Sequence, residues 1–331
     1  MKKFLVIQTA SIGDVILSTS IGEKLLEHYP NCQVDYLVKK GNEGVFYGNM
    51  KINEVFIWNK KQDKYKNMLQ IIFQIREEKY DATINLQRFF SSGIFTIFSG
   101  AKKKYGFKKN PLSLFFSKRF KHEFKENWHE IDRNQQLITA ITNNKAALPK
   151  LYPTKREYAK MSPYKTKAYI TITPASLWFT KQFPKEKWIS FITQTHQSLN
   201  IYLLGGPDDN ALCQEIIAKS QRNNIINLAG KLIFVESAAL MRDALMNYVN
   251  DSAAQHIASS VNGKTCSIYC STHTDFGFGP LSKEATIIET KEHLNCRPCG
   301  LHGHKSCPEE HFKCAQNIKI EQLLNPLNYV S

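Results

Sequence analysis

The chain has 331 residues, which suits two domains of about 150 residues each. Its 42% hydrophobic and 22% charged residues are typical of a globular protein and exclude wholesale disorder. No apolar run is long enough to cross a membrane, and no cleavage site follows the opening apolar residues, so a cytoplasmic protein is expected. The net charge of +15 favours polyanionic partners: nucleic acid, an anionic membrane surface or a phosphorylated substrate.

The start of the chain predicts a strand, a turn of small residues and a helix. Residues 4–9 are typical of a buried strand, and Asp14 opens an apolar-periodic segment predicted as a helix to residue 28. In an open α/β sheet, Asp14 would then lie at the carboxyl end of the first strand, where such folds bind ligands. Its carboxylate is either a base, kept ionised by the helix N-terminus, or only a helix cap.

The remainder of the first half alternates in the same way. Strands are predicted at 33–38, 54–57 and 82–86, and helices at 65–79, 92–98 and 131–143. This alternation predicts a mainly parallel sheet with helices on both faces.

Residues 101–125 contain nine cations and a single acid, with aromatic and apolar residues between them. This mixture suits docking on a membrane interface or on an amphiphile with anionic groups. The alternative is a solvated basic loop with a few core anchors.

Residues 148–167 are basic, contain prolines and lack periodicity, which is typical of a connector between domains. The alternation then restarts, with strands at 168–173, 201–204, 225–228, 248–249, 265–269 and 285–288, and helices at 185–196, 209–219, 234–245 and 253–261. We therefore predict an α/β protein with two doubly wound Rossmann-like domains, residues 1–160 and 161–331, facing one another across a cleft.

Four motifs follow one another along the chain, at residues 11–19, 173–188, 228–258 and 269–281. In order and spacing they resemble glycosyltransferase family 9, the bacterial lipopolysaccharide heptosyltransferases. The resemblance implies the GT-B fold and inverting transfer of a sugar, with heptose from ADP-heptose expected, to an anionic lipopolysaccharide or glycolipid acceptor. It leaves open another nucleotide sugar or a relative that only binds. A non-enzymatic polyanion-binding protein is the alternative from a different class.

The resemblance also implies roles for individual residues. Asp14 would be the general base, and Lys181 would neutralise charge on the departing nucleoside diphosphate. The second domain would bind the donor through Thr173, Pro174, Ser176, Asp251, Ser252, Ala253, His256, Thr272 and Thr274. Asp251 is alternatively a plain helix cap, and His256 a structural histidine. Ala253 stands where the family commonly has glycine, and Cys270-Ser271 replaces a usual Gly-Pro.

The first domain would bind the acceptor through Gly13, Arg88, Ser91, Lys103 and Arg133. The resemblance implies catalysis without a metal and a location at the inner face of the inner membrane. No nucleic-acid partner is expected, because the sequence lacks ribonucleoprotein, zinc-finger and recognition-helix motifs.

Four of the eight cysteines cluster near the end of the chain, at Cys296, Cys299, Cys307 and Cys314. Their spacing allows a structural zinc site, a set of buried thiols, or a redox or disulfide role. The other four, Cys32, Cys213, Cys266 and Cys270, are expected to be small buried residues.

Overall fold

The computed structural model describes residues 1–328. The chain divides into two compact units, Met1–Tyr152 and Pro153–Ser331, and residues 329–331 of the predicted second domain lie outside the described residues. Within residues 1–328, every helix is too short or too polar to span a membrane.

The first unit contains six strands and four α-helices among its described residues. The strands are β1 (Lys3–Ile7), β2 (Gln33–Lys39), β3 (Val55–Trp58), β4 (Ala82–Asn85), β5 (Lys103–Phe107) and β6 (Lys118–Phe120). The helices are α1 (Ile12–His28), α2 (Lys64–Glu77), α3 (Phe90–Phe98) and α4 (Glu130–Gln135).

The second unit repeats the alternation of strands and helices. Its strands are β7 (Tyr169–Thr173), β8 (Asn200–Leu203), β9 (Ile225–Asn227), β10 (Met246–Asn250), β11 (Thr265–Tyr269) and β12 (Ala285–Glu289). Its helices are α5 (Lys155–Met161), α6 (Lys185–Gln194), α7 (Asn210–Ser220), α8 (Phe234–Arg242), α9 (Ala253–Ser260), α10 (Lys313–Gln316) and α11 (Ile320–Asn328).

Each unit is built on one six-stranded parallel sheet. The strand orders are β3-β2-β1-β4-β5-β6 and β12-β11-β10-β7-β8-β9. In each sheet the chain first adds strands on one side of the starting strand and then on the other. The switch point between the two directions lies between β1 and β4 in the first sheet and between β7 and β10 in the second. The prediction of two doubly wound α/β domains is confirmed. Ligands of such sheets bind outside the carboxyl ends of the strands at these switch points.

Several predicted elements differ from those in the structure. The basic stretch is not one loop, because β5 and β6 lie within it and extend the first sheet. The connector contains α5, which packs on α8, where Lys160 Nζ lies 2.6 Å from Glu236 Oε1. The second unit therefore begins at Pro153, earlier than the predicted residue 161. The helix predicted at 131–143 is shorter, since α4 gives way to a 3-10 turn at Gln136–Ile138.

Candidate active site

The switch point of the second sheet is organised by Asn250, the last residue of β10. Its amide Nδ2 donates to the carbonyl of Pro174, at 2.8 Å, and its Oδ1 accepts from the backbone N–H of Phe183, at 3.0 Å. Both contacts are to the loop that follows β7. Asn250 thus holds the two ends of that loop beside the strand end that leads into Asp251.

Two side chains from separate segments contact Asp251. Lys181 Nζ lies 2.6 Å from Asp251 Oδ2, and the hydroxyl of Thr272 donates to the same oxygen at 2.6 Å. Lys181 ends the 3-10 turn Phe179–Lys181 after β7, and Thr272 follows β11. Because β10 lies between β7 and β11 in the sheet, the three segments meet at one edge. Lys181 and Asp251, both predicted as functional residues from the sequence, are therefore in direct contact.

Buried hydroxyls and a helix N-terminus lie at this edge too. Ser252 precedes α9 at its N-cap, and Thr173 ends β7. Among the described residues, the hydroxyls of Thr173 and Ser252 are buried and have no hydrogen-bond partner. A buried hydroxyl without a partner is unfavourable unless a ligand or water completes it. The first turn of α9 also presents backbone N–H groups, which favour an anion.

The other predicted donor residues occupy the same loops. Pro174 is buried and Ser176 half-buried after β7, Ala253 opens α9, and His256 is buried within that helix. Thr274 begins the 3-10 turn Thr274–Phe276 beyond Thr272.

In the first unit, Asp14 lies at the third position of α1, and Ser11 is the N-cap. The helix thus starts earlier than the sequence indicates. Asp14 Oδ2 accepts a hydrogen bond from the N–H of Ser11, at 3.2 Å, and the N–H of Asp14 donates to Ser11 Oγ at 3.4 Å, which completes a capping box. The Ser11 hydroxyl also donates to Asp14 Oδ2. Asp14 is half-buried. Its structural role is therefore that of a capping partner, and its role as a base stays a prediction.

Further polar groups follow the ends of β1, β3 and β4 in the first unit. Gly13 lies in the first turn of α1, while exposed Arg88 and half-buried Ser91 follow β4.

Lys60, which the sequence analysis did not predict, donates from Nζ to the carbonyl of Thr9 at 2.8 Å. Burial, with the nearby charges of Lys39 and Lys64, lowers the pKa of Lys60 below its ordinary 10.5. No motif marks Lys60, because only the packing of β3 beside β2 and β1 brings it to this edge.

The structure does not bring Lys103 and Arg133 to this group. Lys103 begins β5, so in a parallel sheet it lies at the edge opposite to the carboxyl ends of the strands. Arg133 is buried in α4, where its Nε lies 2.7 Å from Glu130 Oε2 and its Nη1 donates to the carbonyl of Trp128 at 3.0 Å. These contacts give Arg133 a structural role in the first unit. An acceptor role for either residue stays a prediction.

The four terminal cysteines line one cavity of about 250 Å³ in the second unit, together with Thr180 and His304. All eight cysteines are free thiols, and Cys314 is buried, where desolvation raises its pKa to about 12. Over residues 1–328, no three His, Cys, Asp or Glu side chains are grouped so as to hold a metal ion. The structure therefore supports neither a zinc site nor a disulfide at these cysteines, and it favours the alternative of free thiols. Of the scattered cysteines, Cys213, Cys266 and Cys270 are buried as expected, and Cys32 is half-buried.

Comparison with known proteins places these features in a family. The family model of glycosyltransferase family 9 (heptosyltransferase) matches residues 68–312. The chain is 27% identical to lipopolysaccharide heptosyltransferase 3 of Escherichia coli, over 78% of this chain and 81% of that protein. It is 25% identical to lipooligosaccharide heptosyltransferase 2 of Campylobacter jejuni, over 100% of this chain and 99% of that protein.

The fold is similar to that of a solved structure of ADP-heptose lps heptosyltransferase II from Escherichia coli. The TM-score is 0.82 at 19% identity, covering 100% of this chain and 98% of that one. At this identity the likeness shows the fold, which agrees with the two doubly wound units described above.

Proposed function

The chain belongs to glycosyltransferase family 9, the heptosyltransferases, and is a glycosyltransferase; from this premise we propose that it transfers heptose from ADP-heptose to an anionic acceptor of the lipopolysaccharide core. The printed names of its relatives support this choice of donor and acceptor, since they include an ADP-heptose lps heptosyltransferase and a lipopolysaccharide heptosyltransferase. We propose that the reaction inverts the anomeric carbon and requires no metal.

The observation that carries the proposal is the meeting of Lys181, Asp251 and Thr272 at the switch point of the second sheet. Beside them, Thr173 and Ser252 have buried hydroxyls without partners among the described residues. A nucleoside diphosphate provides anionic oxygens for the ammonium group, the hydroxyls and the N-terminus of α9. The second unit is therefore proposed as the donor-binding domain.

Lys181 would act on the leaving group. When the bond between the anomeric carbon and the diphosphate oxygen breaks, its electron pair stays on the phosphate and negative charge grows there. A positioned ammonium group stabilises that charge more in the transition state than in the ground state. Asp251 holds the Lys181 side chain through their ion pair and would bind hydroxyls of the donor sugar when Lys181 turns to the phosphate.

We propose Asp14 as the general base. The acceptor hydroxyl would attack the anomeric carbon, and its proton would pass to the Asp14 carboxylate as the new carbon–oxygen bond forms. A single direct displacement of this kind inverts the configuration. The family match begins at residue 68, beyond Asp14, so the support for this role is the position of Asp14 after β1.

The first unit is proposed as the acceptor-binding domain. Gly13, Arg88 and Ser91 lie in segments that follow β1 and β4, and Lys60 adds an exposed cation near the end of β1. Cations in this position suit an acceptor that carries phosphate or carboxylate groups.

The loops after β4 and β5 are proposed to dock on the inner face of the inner membrane. They are joined by Asn110, whose Nδ2 donates to the carbonyl of Phe89 at 2.9 Å. Leu114 and Phe115 are 73% and 67% exposed. The exposed apolar side chains of these loops are Phe89, Phe90, Leu114 and Phe115. The exposed cations of the same loops are Arg88, Lys108 and Lys109. Apolar tips among cations suit an anionic lipid surface.

A nucleotide-binding experiment tests the donor site. Calorimetric titration with ADP, UDP and GDP should show tightest binding of ADP, and Lys181→Met should weaken it about ten-fold or more, because one charge-assisted contact is lost. Lys185→Met is the matched control, since Lys185 also pairs with a carboxylate, Glu215, at 2.7 Å, but on the helix α7. Preference for UDP or GDP would favour a different nucleotide sugar, and equal affinity of Lys181→Met and wild type would reject the role of Lys181.

A further inference from the structure

The cysteine-rich end of the second unit contacts both segments that carry the proposed phosphate-binding groups. Residues 296–304, here called the 296–304 segment, follow β12 and precede α10. Phe312, Cys314 and Ala315, just beyond it, belong to the hydrophobic core of the unit and anchor the segment to the fold.

One set of contacts fixes the backbone after β11. The Arg297 guanidinium donates from Nε to the carbonyl of Cys270, at 2.8 Å, and from Nη2 to the carbonyls of Thr272, at 2.9 Å, and Tyr269, at 3.2 Å. The N–H of Cys299 donates to the remaining carbonyl, that of Ser271, at 2.8 Å. Four successive carbonyls are thus held by the 296–304 segment, and Thr272 is the residue that also binds Asp251.

A second set of contacts fixes the turn that carries Lys181. The N–H of Thr180 donates to the carbonyl of His304 at 3.1 Å, and the N–H of His304 donates back to the Thr180 hydroxyl at 2.8 Å. The Ser271 hydroxyl also donates to the Thr180 hydroxyl, at 3.1 Å. Thr180 is 1% exposed and directly precedes Lys181. One buried hydroxyl therefore joins the Lys181 turn, the loop after β11 and the 296–304 segment.

Gly303 shows how closely these parts approach. Its φ is +75°, and a Cβ placed on it would lie 2.8 Å from Thr180 Oγ1 and 3.3 Å from both Lys181 Cγ and Ser271 Oγ. A side chain at this position would push on all three residues and would strain the backbone as well.

We infer that the 296–304 segment positions Lys181 and Thr272 for the donor diphosphate, with Arg297 and Thr180 as positioning residues that do not touch the donor themselves. This inference rests on the donor site proposed above. The side chain of Arg297 is 6% exposed, and its Nη2 forms an ion pair with Glu289 Oε2 at 2.6 Å, so the guanidinium is already bound within the protein. Its effect on the ligand must therefore pass through the loop that it holds.

The test measures ADP affinity by calorimetry and the Michaelis constants of donor and acceptor. We expect Arg297→Met and Thr180→Val to weaken ADP binding and raise the donor KM about ten-fold, with the acceptor KM unchanged. Thr180→Ser keeps the hydroxyl and should restore both values to within about two-fold of wild type. Lys305→Met is the control, since Lys305 is an exposed cation just beyond the segment. A role in stability alone would reduce the active fraction of enzyme without moving ADP affinity or the donor KM.

Two outcomes separate this inference from the proposed function. If wild type binds no ADP, the donor site fails and the inference fails with it. If wild type binds ADP and Lys181→Met weakens binding, while Thr180→Val and Thr180→Ser both bind as wild type does, only the positioning role is overturned. A double variant, Thr180→Val with Lys181→Met, should lose less ADP affinity than the two single losses combined, because part of the Thr180 effect passes through Lys181. Additive losses would contradict the inference.

Discussion

Asp14 has a structural role and a proposed chemical role that one pair of variants separates. Asp14→Asn keeps a side chain of the same shape in the first turn of α1 and removes the base. We expect its kcat to fall about 10²- to 10⁴-fold, with ADP affinity unchanged, because proton transfer is lost while the donor site stays intact. The measurement is steady-state transfer together with calorimetric ADP binding.

Ser11→Ala is the matched control for Asp14. It removes the hydroxyl that donates to Asp14 Oδ2 and leaves the carboxylate in place. This variant should lose about 1 kcal/mol of stability, the usual effect of deleting an N-cap hydroxyl, and keep most of its activity. Undiminished transfer by Asp14→Asn would show that another group is the base.

Lys181 and Asp251 could be predicted as functional residues from the sequence. Motif order along the chain marked both residues, and the structure joins them at 2.6 Å. Their direct pairing was not predicted, because it depends on the order of β7, β10 and β11 in the sheet. Arg133 illustrates the opposite case: its motif predicts an acceptor contact, but burial beside Glu130 depends on tertiary packing that single residues do not reveal.

At the scale of elements, helix α4 is held by the buried pair of Glu130 and Arg133. Loss of Arg133 leaves the buried Glu130 carboxylate with only His122 Nε2, at 3.6 Å, as an ionic partner among the described residues, so Arg133→Met should lower the free energy of unfolding by about 3–5 kcal/mol. Arg119→Met, at an exposed position of β6, is the control and should change it by less than about 0.5 kcal/mol. Urea denaturation measures both. Equal stability of the two variants would show that this pair does not hold the helix.

The same pair predicts a pH dependence. Burial would raise the pKa of Glu130, but the contact with His122 and the charge of Arg133 outweigh it, and its pKa lies below the ordinary 4.5. A carboxyl with a lowered folded pKa stabilises the fold above its unfolded pKa, and this stabilisation is lost as pH falls through the folded value. The stability advantage of wild type over Glu130→Gln should therefore be greatest near neutral pH and shrink below about pH 4.5. An advantage that grows on acidification would contradict this assignment.

Apolar periodicity predicts most of the strands and helices, but not β5, β6, α5, α10 or α11. β5 contains two lysines and a glycine, and β6 has only three residues, Lys118–Phe120, with two cations. Gly106 is needed because a Cβ there would lie 2.5 Å from Cε2 of the Phe116 ring. β5 forms because β4 offers it a paired edge, and β6 pairs in turn with β5, a tertiary effect that overrides weak local preference.

At the scale of the whole molecule, the net charge of +15 alone did not distinguish an enzyme from a polyanion-binding protein. Family membership decides for an enzyme over the alternative of a non-enzymatic polyanion-binding protein. Part of the basic stretch is used within the first unit, as where Lys102 Nζ lies 2.8 Å from Asp81 Oδ1. Lys108 and Lys109 stay exposed in the loop after β5, which adjoins the exposed Leu114 and Phe115.

These loops predict binding to anionic membranes. The protein should sediment with phosphatidylglycerol vesicles and not with neutral vesicles, and added salt should release it, since surface charge attraction is screened. The double variant Leu114→Ser, Phe115→Ser should bind about ten-fold more weakly, because it loses apolar insertion. Met50→Ser is the control, as Met50 is 99% exposed in another loop of the same unit. Equal binding of both variants and wild type would reject these loops as the docking site.

The central claim is tested most directly by one transfer reaction. The purified protein is incubated with ADP-heptose and a lipopolysaccharide core acceptor that lacks the heptose, and the product is analysed by mass spectrometry and NMR. We predict that the acceptor gains one heptose with inverted anomeric configuration as ADP is released. Retained configuration, or transfer only from a UDP- or GDP-linked sugar, would contradict it.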